Sequence, residues 1–236
     1  MLELFQNKKI LLVVAHPDDE ILGVGGAMHY LINYAQAYVR VLILGEGITS
    51  RADFRDREIW KKEIEIHRTC VYSAQKIIGY ESVALHDFPD NRFDSVDLLD
   101  IVKIIEKEKQ DFQPTIIFTH HGGDLNIDHR RTFEAVITAT RPLPNESVKA
   151  ILTFETPSST EWQAFNYSSP FLPNFFISFG EESIFAKTKA MQCYEFEARK
   201  YPHPRSPEAL KILAERWGIV VGSSFAEAFM LIRCTL

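Results

Sequence analysis

Cysteine is scarce in this chain, and Cys70, Cys193 and Cys234 are far apart with no CxxC pair among them. That excludes a disulfide framework and a thiolate-held zinc, leaving three thiols expected to be buried, Cys193 in an amphipathic helix and Cys234 after an apolar strand. No dense block of Lys or Arg occurs and the formal net charge is -6, so nucleic acid is not an expected partner. Long apolar runs are also missing. The opening stretch MLELFQNKKILLVV carries Glu3 early and then only the short segment Lys9 to Ala15, which matches neither a signal peptide nor a membrane span and leads to a cytoplasmic expectation. Repeats and low-complexity tracts are absent. Gly23, Gly25 and Gly26 do not form a GxGxxG fingerprint and are read instead as letting a helix approach the sheet closely.

What is present is a series of alternating elements. With 236 residues, 46% of them hydrophobic, the chain can bury a substantial core and reads as one domain, 1–236. Lys9 to Ala15 is an apolar run of the kind buried on both faces of a sheet. Gly25 to Ala35 reads as a helix, Tyr38 to Leu44 as a strand, Phe54 to Ile78 as a long interrupted helix and Val83 to His86 as a short strand. Leu98, Ile101, Val102 and Ile105 recur at helical spacing, Thr115 to Thr119 is a further strand, and Arg131 to Thr140 a helix. This βα alternation predicts a three-layer α/β sandwich, its sheet mostly parallel with helices on both faces. Beyond Pro142, strands are expected at Val148 to Glu155, Phe175 to Phe179 and Phe229 to Arg233, and helices at Glu182 to Arg199 and Pro207 to Trp217. The long connection Thr156 to Asn174, with Trp162, Phe165, Tyr167 and Phe171, is read as a substrate wall.

Two polar clusters stand where strands end. Ala15-His16-Pro17-Asp18-Asp19-Glu20 follows the first strand and Gly123-Asp124-Leu125-Asn126-Ile127-Asp128-His129 the strand near Thr119. Each is expected on a loop at the carboxyl end of the sheet, where ligands bind in open α/β folds. His and carboxylate are ligands that zinc accepts, and catalytic zinc commonly takes three from the protein, a set that His16, Asp19 and His129 would supply. Adjacent carboxylates left bare in one pocket would repel, and a cation removes the conflict. Only one of the pair need bind it, which frees Asp18 to take a proton from water. Glu20 is read as a solvated first-turn carboxylate, and His67 and Arg68 as a solvated helix face.

The AHPDDE segment and Gly123 to Arg130 resemble the two signature regions of the PIG-L (LmbE-like) family of zinc-dependent N-deacetylases, in its bacterial GDLNIDH form. The similarity continues through Phe88 to Asp94, Ser158 to Trp162, Tyr201 to Ser206 and Ala226 to Phe229. It implies a Rossmann-like sheet and a hydrolase that removes an acyl group, usually acetyl, from a glucosamine-type amine. By motif position it places zinc ligands on His16, Asp19 and His129 and the general base on Asp18. Many members carry a histidine where this chain has Asn126, whose amide cannot deliver a proton at neutral pH. The acid is then Asp18 returning its proton, or His120, His121 or His203.

Other polar residues are expected around the same crevice. Arg51 follows the second strand and could bind a substrate hydroxyl, phosphate or oxyanion, or be an exposed arginine at a helix start. Asp90, Asn91 and Arg92 follow the third strand and could be functional or ordinary turn chemistry. Asp128 either caps the following helix or bonds a histidine or Asn126. The expected cofactor is Zn2+, with Fe2+ and Co2+ able to take the same ligands. The expected partner is an N-acylated amino sugar, free, nucleotide-linked or lipid-linked, and self-association of the chain is left open. Cleavage of a larger acyl group and a non-catalytic, metal-dependent sugar-binding role are the alternatives.

Overall fold

The computed structural model describes every residue except Met1, Phe165, Tyr167, Ser168 and Leu236; the sequence expectations for Phe165 and Tyr167 lie outside the described residues. Seven strands, β1 (Lys9–Val14), β2 (Tyr38–Gly45), β3 (Ser82–Phe88), β4 (Ile116–His120), β5 (Ala150–Phe154), β6 (Phe175–Phe179) and β7 (Phe225–Cys234), form one sheet in the order β3-β2-β1-β4-β5-β7-β6. The first five are mutually parallel, and β7 runs antiparallel to both β5 and β6. Helices are α1 (Asp19–Leu22), α2 (Gly25–Ala35), α3 (Lys61–Ile78), α4 (Leu98–Phe112), α5 (Ile127–Ala139), α6 (Glu181–Met191) and α7 (Pro207–Val221). Among the described residues no helix is long and apolar enough to cross a membrane.

The strand period of two divides the core into two faces. Ile10, Leu12 and Val14 of β1 pack with Met28 and Leu31 of α2, Cys70 and Ala74 of α3 and Ala190 of α6. Leu11 and Val13 point the other way, onto Ile101 and Ile105 of α4 and Val136 of α5. Helices therefore cover both faces of a mostly parallel sheet, as the alternation of elements predicts. α2 comes close because Gly26 has no side chain: a Cβ there would stand 2.5 Å from the Phe179 ring.

Several elements differ from their sequence reading, each for a local reason. Residues 54–60 are not helical. Asp56 Oδ1 accepts the Glu58 N–H at 2.9 Å, an Asx-type turn, while Arg55 and Arg57 reach Glu46 and bind the stretch as a loop. α6 stops at Met191 rather than Arg199, because Tyr194 turns into the core to donate to Glu20. α5 starts four residues before Arg131, capped by Asn126, whose side chain accepts the Asp128 N–H at 2.8 Å. Hence His129 stands in the first turn of a helix and Asp19 opens α1, so neither lies on a loop. Asp128 is not the cap. Of the thiols, Cys70 is buried but Cys193 lies past the end of α6 and is partly exposed, and Cys234 is exposed.

Candidate active site

The order β3-β2-β1 on one side and β4-β5 on the other makes the gap between β1 and β4 a topological switch point, where chain connections leave in opposite directions and open a crevice. His16 follows β1 and His120 ends β4, so the two polar clusters meet in this crevice. Asp18 adopts φ 107°, a left-handed backbone that a non-glycine residue takes only when its surroundings hold it there. Asn91 (φ 54°) and Ser158 (φ 71°), around the same crevice, do likewise. Of these, Asp18 lies furthest from the usual left-handed region, and backbone held there is a feature that functional sites often show.

Asp19 Oδ2 is 3.4 Å from His16 Nδ1 and 3.4 Å from His129 Nε2, and all three residues are buried. The far nitrogen of each histidine is held by a carboxylate: His16 Nε2 donates to Asp128 Oδ2 at 2.8 Å and His129 Nδ1 to Asp124 Oδ1 at 3.0 Å. This arrangement orients each ring with its other nitrogen toward the Asp19 oxygen, so that a neutral ring would offer its lone pair there, as in metal-binding histidines. The two outer carboxylates are themselves anchored. Asp128 accepts the Asn91 N–H at 2.6 Å and the Phe93 N–H at 2.8 Å. Asp124 accepts from the hydroxyls of Ser159 and Thr160.

The electrostatics favour positive charge at that point. Burial opposes charge on both histidines, yet Asp128 and Asp19 push His16 well above its usual pKa, and Asp19 and Asp124 push His129 to about 9. Burial likewise opposes ionisation of Asp19, but His129 and His120 hold it well below the usual carboxylate range. A divalent cation would replace the protons that the histidines otherwise attract. His16, Asp90 and Asp128 form a second group with ligand atoms close together, sharing His16.

Asp18 faces the crevice but is not part of the three-residue convergence. Burial pushes its pKa well up, and the Arg205 guanidinium opposes the rise. Arg205 Nη1 donates to Asp18 Oδ2 at 2.9 Å and to Glu197 Oε2 at 2.7 Å, while its Nε donates to Ser158 Oγ at 2.7 Å. Arg205 was not singled out from sequence; its signal was its place in the Tyr201 to Ser206 segment. Glu197 was missed altogether. It is buried, binds Arg205 and accepts from Arg51 Nη2. Arg51 is thus neither simply solvated nor free, and it lines the crevice.

The remaining candidates sort by their partners. Ser50 Oγ donates to Asp90 Oδ2 at 2.6 Å, and Asn126 Nδ2 donates to Asn91 Oδ1 at 2.9 Å, so these residues frame the mouth. His120 is fully buried, stacked on His129 with centroids 3.9 Å apart. Burial and the neighbouring His129 bring its pKa down to about 4. Its Nε2 accepts the Ala15 N–H at 3.0 Å, leaving Nδ1 to donate to Thr156 Oγ1 at 3.0 Å. His121 Nε2 donates to the Ser169 carbonyl at 2.9 Å. There Gly123 is obligatory, since a Cβ would fall 1.9 Å from the same oxygen. His203 Nδ1 accepts the Arg205 N–H at 3.1 Å, and its ring meets exposed Trp162 edge to face.

Two residues read as solvated are buried. Glu20 is 2% exposed: Tyr194 OH donates to its Oε1, and its Oε2 accepts the Asp18 N–H at 3.0 Å. Burial raises its pKa to about 7. His67 is 1% exposed, 3.6 Å from Glu197 and packed on Phe196; Arg68 is partly buried and bonds Asp87 at 3.0 Å. Both histidine and glutamate sit behind the crevice because α3 and the Tyr194 turn close over it, a tertiary effect that no local pattern records.

Residues 11–140 match the family model described as PIG-L: GlcNAc-PI de-N-acetylase. The Escherichia coli (strain K12) protein described as uncharacterized deacetylase YaiS is 27% identical over 192 residues, 79% of this chain and 90% of YaiS. The N,N'-diacetylchitobiose deacetylase of Pyrococcus horikoshii superposes with a TM-score of 0.74 at 19% identity, covering 96% of this chain and 84% of that one. The 4-carboxy-2-hydroxymuconate hydratase GalB of Pseudomonas putida KT2440 superposes with a TM-score of 0.70 at 21% identity, covering 97% and 98%. At such identities the likeness fixes the architecture alone. Activity has to be argued from side chains.

Proposed function

The chain belongs to the PIG-L family, and from that membership we propose that it is a metal-dependent hydrolase that removes the N-acetyl group of a glucosamine-type sugar, giving acetate and a free amine. The observation that carries this reading is the convergence of His16 Nδ1, Asp19 Oδ2 and His129 Nε2, with a carboxylate behind each ring, beside an uninvolved Asp18. These three residues would hold the ion. Bound there, zinc, iron or cobalt supplies a Lewis acid that acidifies water and polarises an amide carbonyl.

Asp18 is the proton acceptor in this scheme. Arg205 fixes one of its oxygens and favours the ionised form, while burial keeps its basicity above that of an ordinary aspartate. The departing amine needs that proton back. Asn126 cannot supply one, His120 is neutral with its only N–H committed to Thr156, and His121 donates to Ser169. His203 is turned onto Trp162. Asp18 thus serves first as base and then as acid. Asn91 and Asn126 at the mouth are placed to hydrogen-bond sugar hydroxyls, and Arg51 stands beside them.

The crevice encloses about 100 Å3, well below the roughly 300–1,000 Å3 of pockets that engulf a whole small molecule. That size favours a short acyl group over a long one. The test is acetate release by protein reconstituted with zinc, iron or cobalt from free, nucleotide-linked and lipid-linked N-acetylglucosamine, with a chelated control. Acetate from one class, lost on chelation, is the expected result; a protein holding one metal per chain that releases none would overturn the reading.

A further inference from the structure

We infer that Tyr194 and Glu197, in the turn that follows α6, are positioning residues for Asp18: the first acts on its backbone through Glu20, the second on its carboxylate through Arg205. The inference rests on the deacetylase reading, in which Asp18 is the base, and adds to it the element that holds that base in place.

Asp18 needs holding at both ends. Its backbone stands at φ 107°, a conformation that a residue with a Cβ leaves unless its contacts oppose the change. Its carboxylate needs a fixed place as well, since displacing a reacting group by about 1 Å can cost on the order of a hundredfold in rate.

The backbone is held from behind the crevice. Glu20 Oε2 accepts the Asp18 N–H at 3.0 Å, and Glu20 Oε1 accepts from the Tyr194 hydroxyl. Glu20 and Tyr194 are both buried, so water does not compete for either bond. Tyr80 OH donates to the Glu20 carbonyl at 2.8 Å and fixes the same residue from a third side.

The carboxylate is held within the crevice, which Asp18, Glu197 and Arg205 all line. Arg205 Nη1 donates to Asp18 Oδ2 at 2.9 Å and also to Glu197 Oε2 at 2.7 Å, while its Nε donates to Ser158 Oγ. Glu197 therefore sets where the guanidinium stands relative to Asp18. Both holders belong to one turn, in which the Glu197 N–H donates to the Tyr194 carbonyl at 3.0 Å. That turn is pinned in its own right. Arg51 Nη2 donates to the Phe196 carbonyl at 3.2 Å and to the Glu197 carboxylate, and the His67 ring packs on Phe196 with centroids 5.5 Å apart. A segment far from Asp18 in the chain thus grips it at two points.

The experiment measures kcat, KM and bound metal for acetate release by wild type, Tyr194→Phe, Glu197→Ala and Glu197→Gln, on the N-acetylglucosamine derivative that wild type cleaves. Tyr194→Phe and Glu197→Ala are then repeated in an Asp18→Ala background, whose residual rate is followed at high protein concentration. Each of the two should lower kcat about tenfold, with metal still bound and KM within about twofold of wild type. Glu197→Gln keeps an acceptor for Arg205 and should recover most of the loss. In the Asp18→Ala background neither substitution should lower the residual rate further, because the group through which they act is gone. Unchanged kcat in Tyr194→Phe, or equal losses with and without Asp18, overturns the inference. Tyr194→Phe removes a single oxygen atom and carries the test if Glu197→Ala does not fold. If no protein releases acetate, the deacetylase reading fails on its own, and crystal structures of Tyr194→Phe and Glu197→Gln decide the positioning. Asp18 out of its left-handed backbone, or its carboxylate turned away from the crevice, supports the inference; Asp18 unmoved in both overturns it.

Discussion

Asp18 and Asp19 are neighbours in the chain and opposites in behaviour. Asp19, facing two imidazoles, is held ionised, whereas Asp18, bonded to one guanidinium but buried, is pushed toward protonation. The two carboxylates that the sequence reading assigns to base and ligand thus differ in what each touches. Arg205→Ala removes the cation that favours the Asp18 carboxylate, so the Asp18 pKa rises. The acidic limb of the kcat/KM profile should then move to higher pH, an outcome measured by acetate release across pH 5 to 9 in the two proteins, taken as about the range over which such limbs are followed. An unshifted limb would show that Arg205 does not act on the base. Glu20 gives a prediction on stability. It binds its proton up to about pH 7 when folded, against 4.5 for the free group. The native state therefore holds more protons between those values, and stability falls as pH rises across that window, by on the order of 3 kcal/mol, then levels. Glu20→Gln should flatten this slope in urea titrations with metal chelated. That His16, Asp19 and His129 belong to one cluster was legible, because residue type marks the side chains able to share a cation. Arg205, Glu197 and buried Glu20 were not, because their roles depend on partners 8 to 187 residues away.

Elements were legible wherever local pattern and packing agree. The bounds of α2 and β6 follow directly from their apolar residues, while residues 54–60 and the chain after Met191 depart from helix because side-chain hydrogen bonds and a buried tyrosine outcompete it. The antiparallel end of the sheet is held by a feature that sequence pattern does not reveal. Glu227 on β7 accepts the Gly26 and Ala27 N–H groups at the start of α2, and Lys187 on α6 donates to Glu227 at 2.6 Å and to the Leu22 carbonyl at 2.8 Å. All of these groups are buried. Glu227→Ala would strand an ammonium in the core and should cost about 3–5 kcal/mol in urea unfolding, with the Lys187→Met, Glu227→Leu double variant recovering part of it. Equal losses in the single and double variants would mean that the ion pair is not what joins these elements.

For the molecule as a whole, the alternation of strands and helices sufficed to read a mostly parallel sheet covered on both faces, because each connection reverses through a helix. The strand order was not legible, and it is the order that brings residue 16 beside residue 129. One consequence is linkage between ion and fold. A divalent cation at 100 times its dissociation constant should stabilise the chain by about 2.7 kcal/mol, a rise in Tm of roughly 5–11 °C for a chain of this size. His129→Ala should lose most of that rise in a calorimetric scan. The most direct test of the central claim is acetate release by Asp18→Ala beside wild type, each assayed for bound metal. One metal per chain in both proteins, with turnover lowered about 10²- to 10⁴-fold in the variant, is the expected result. Equal turnover in the two would contradict the assignment of Asp18 as the base.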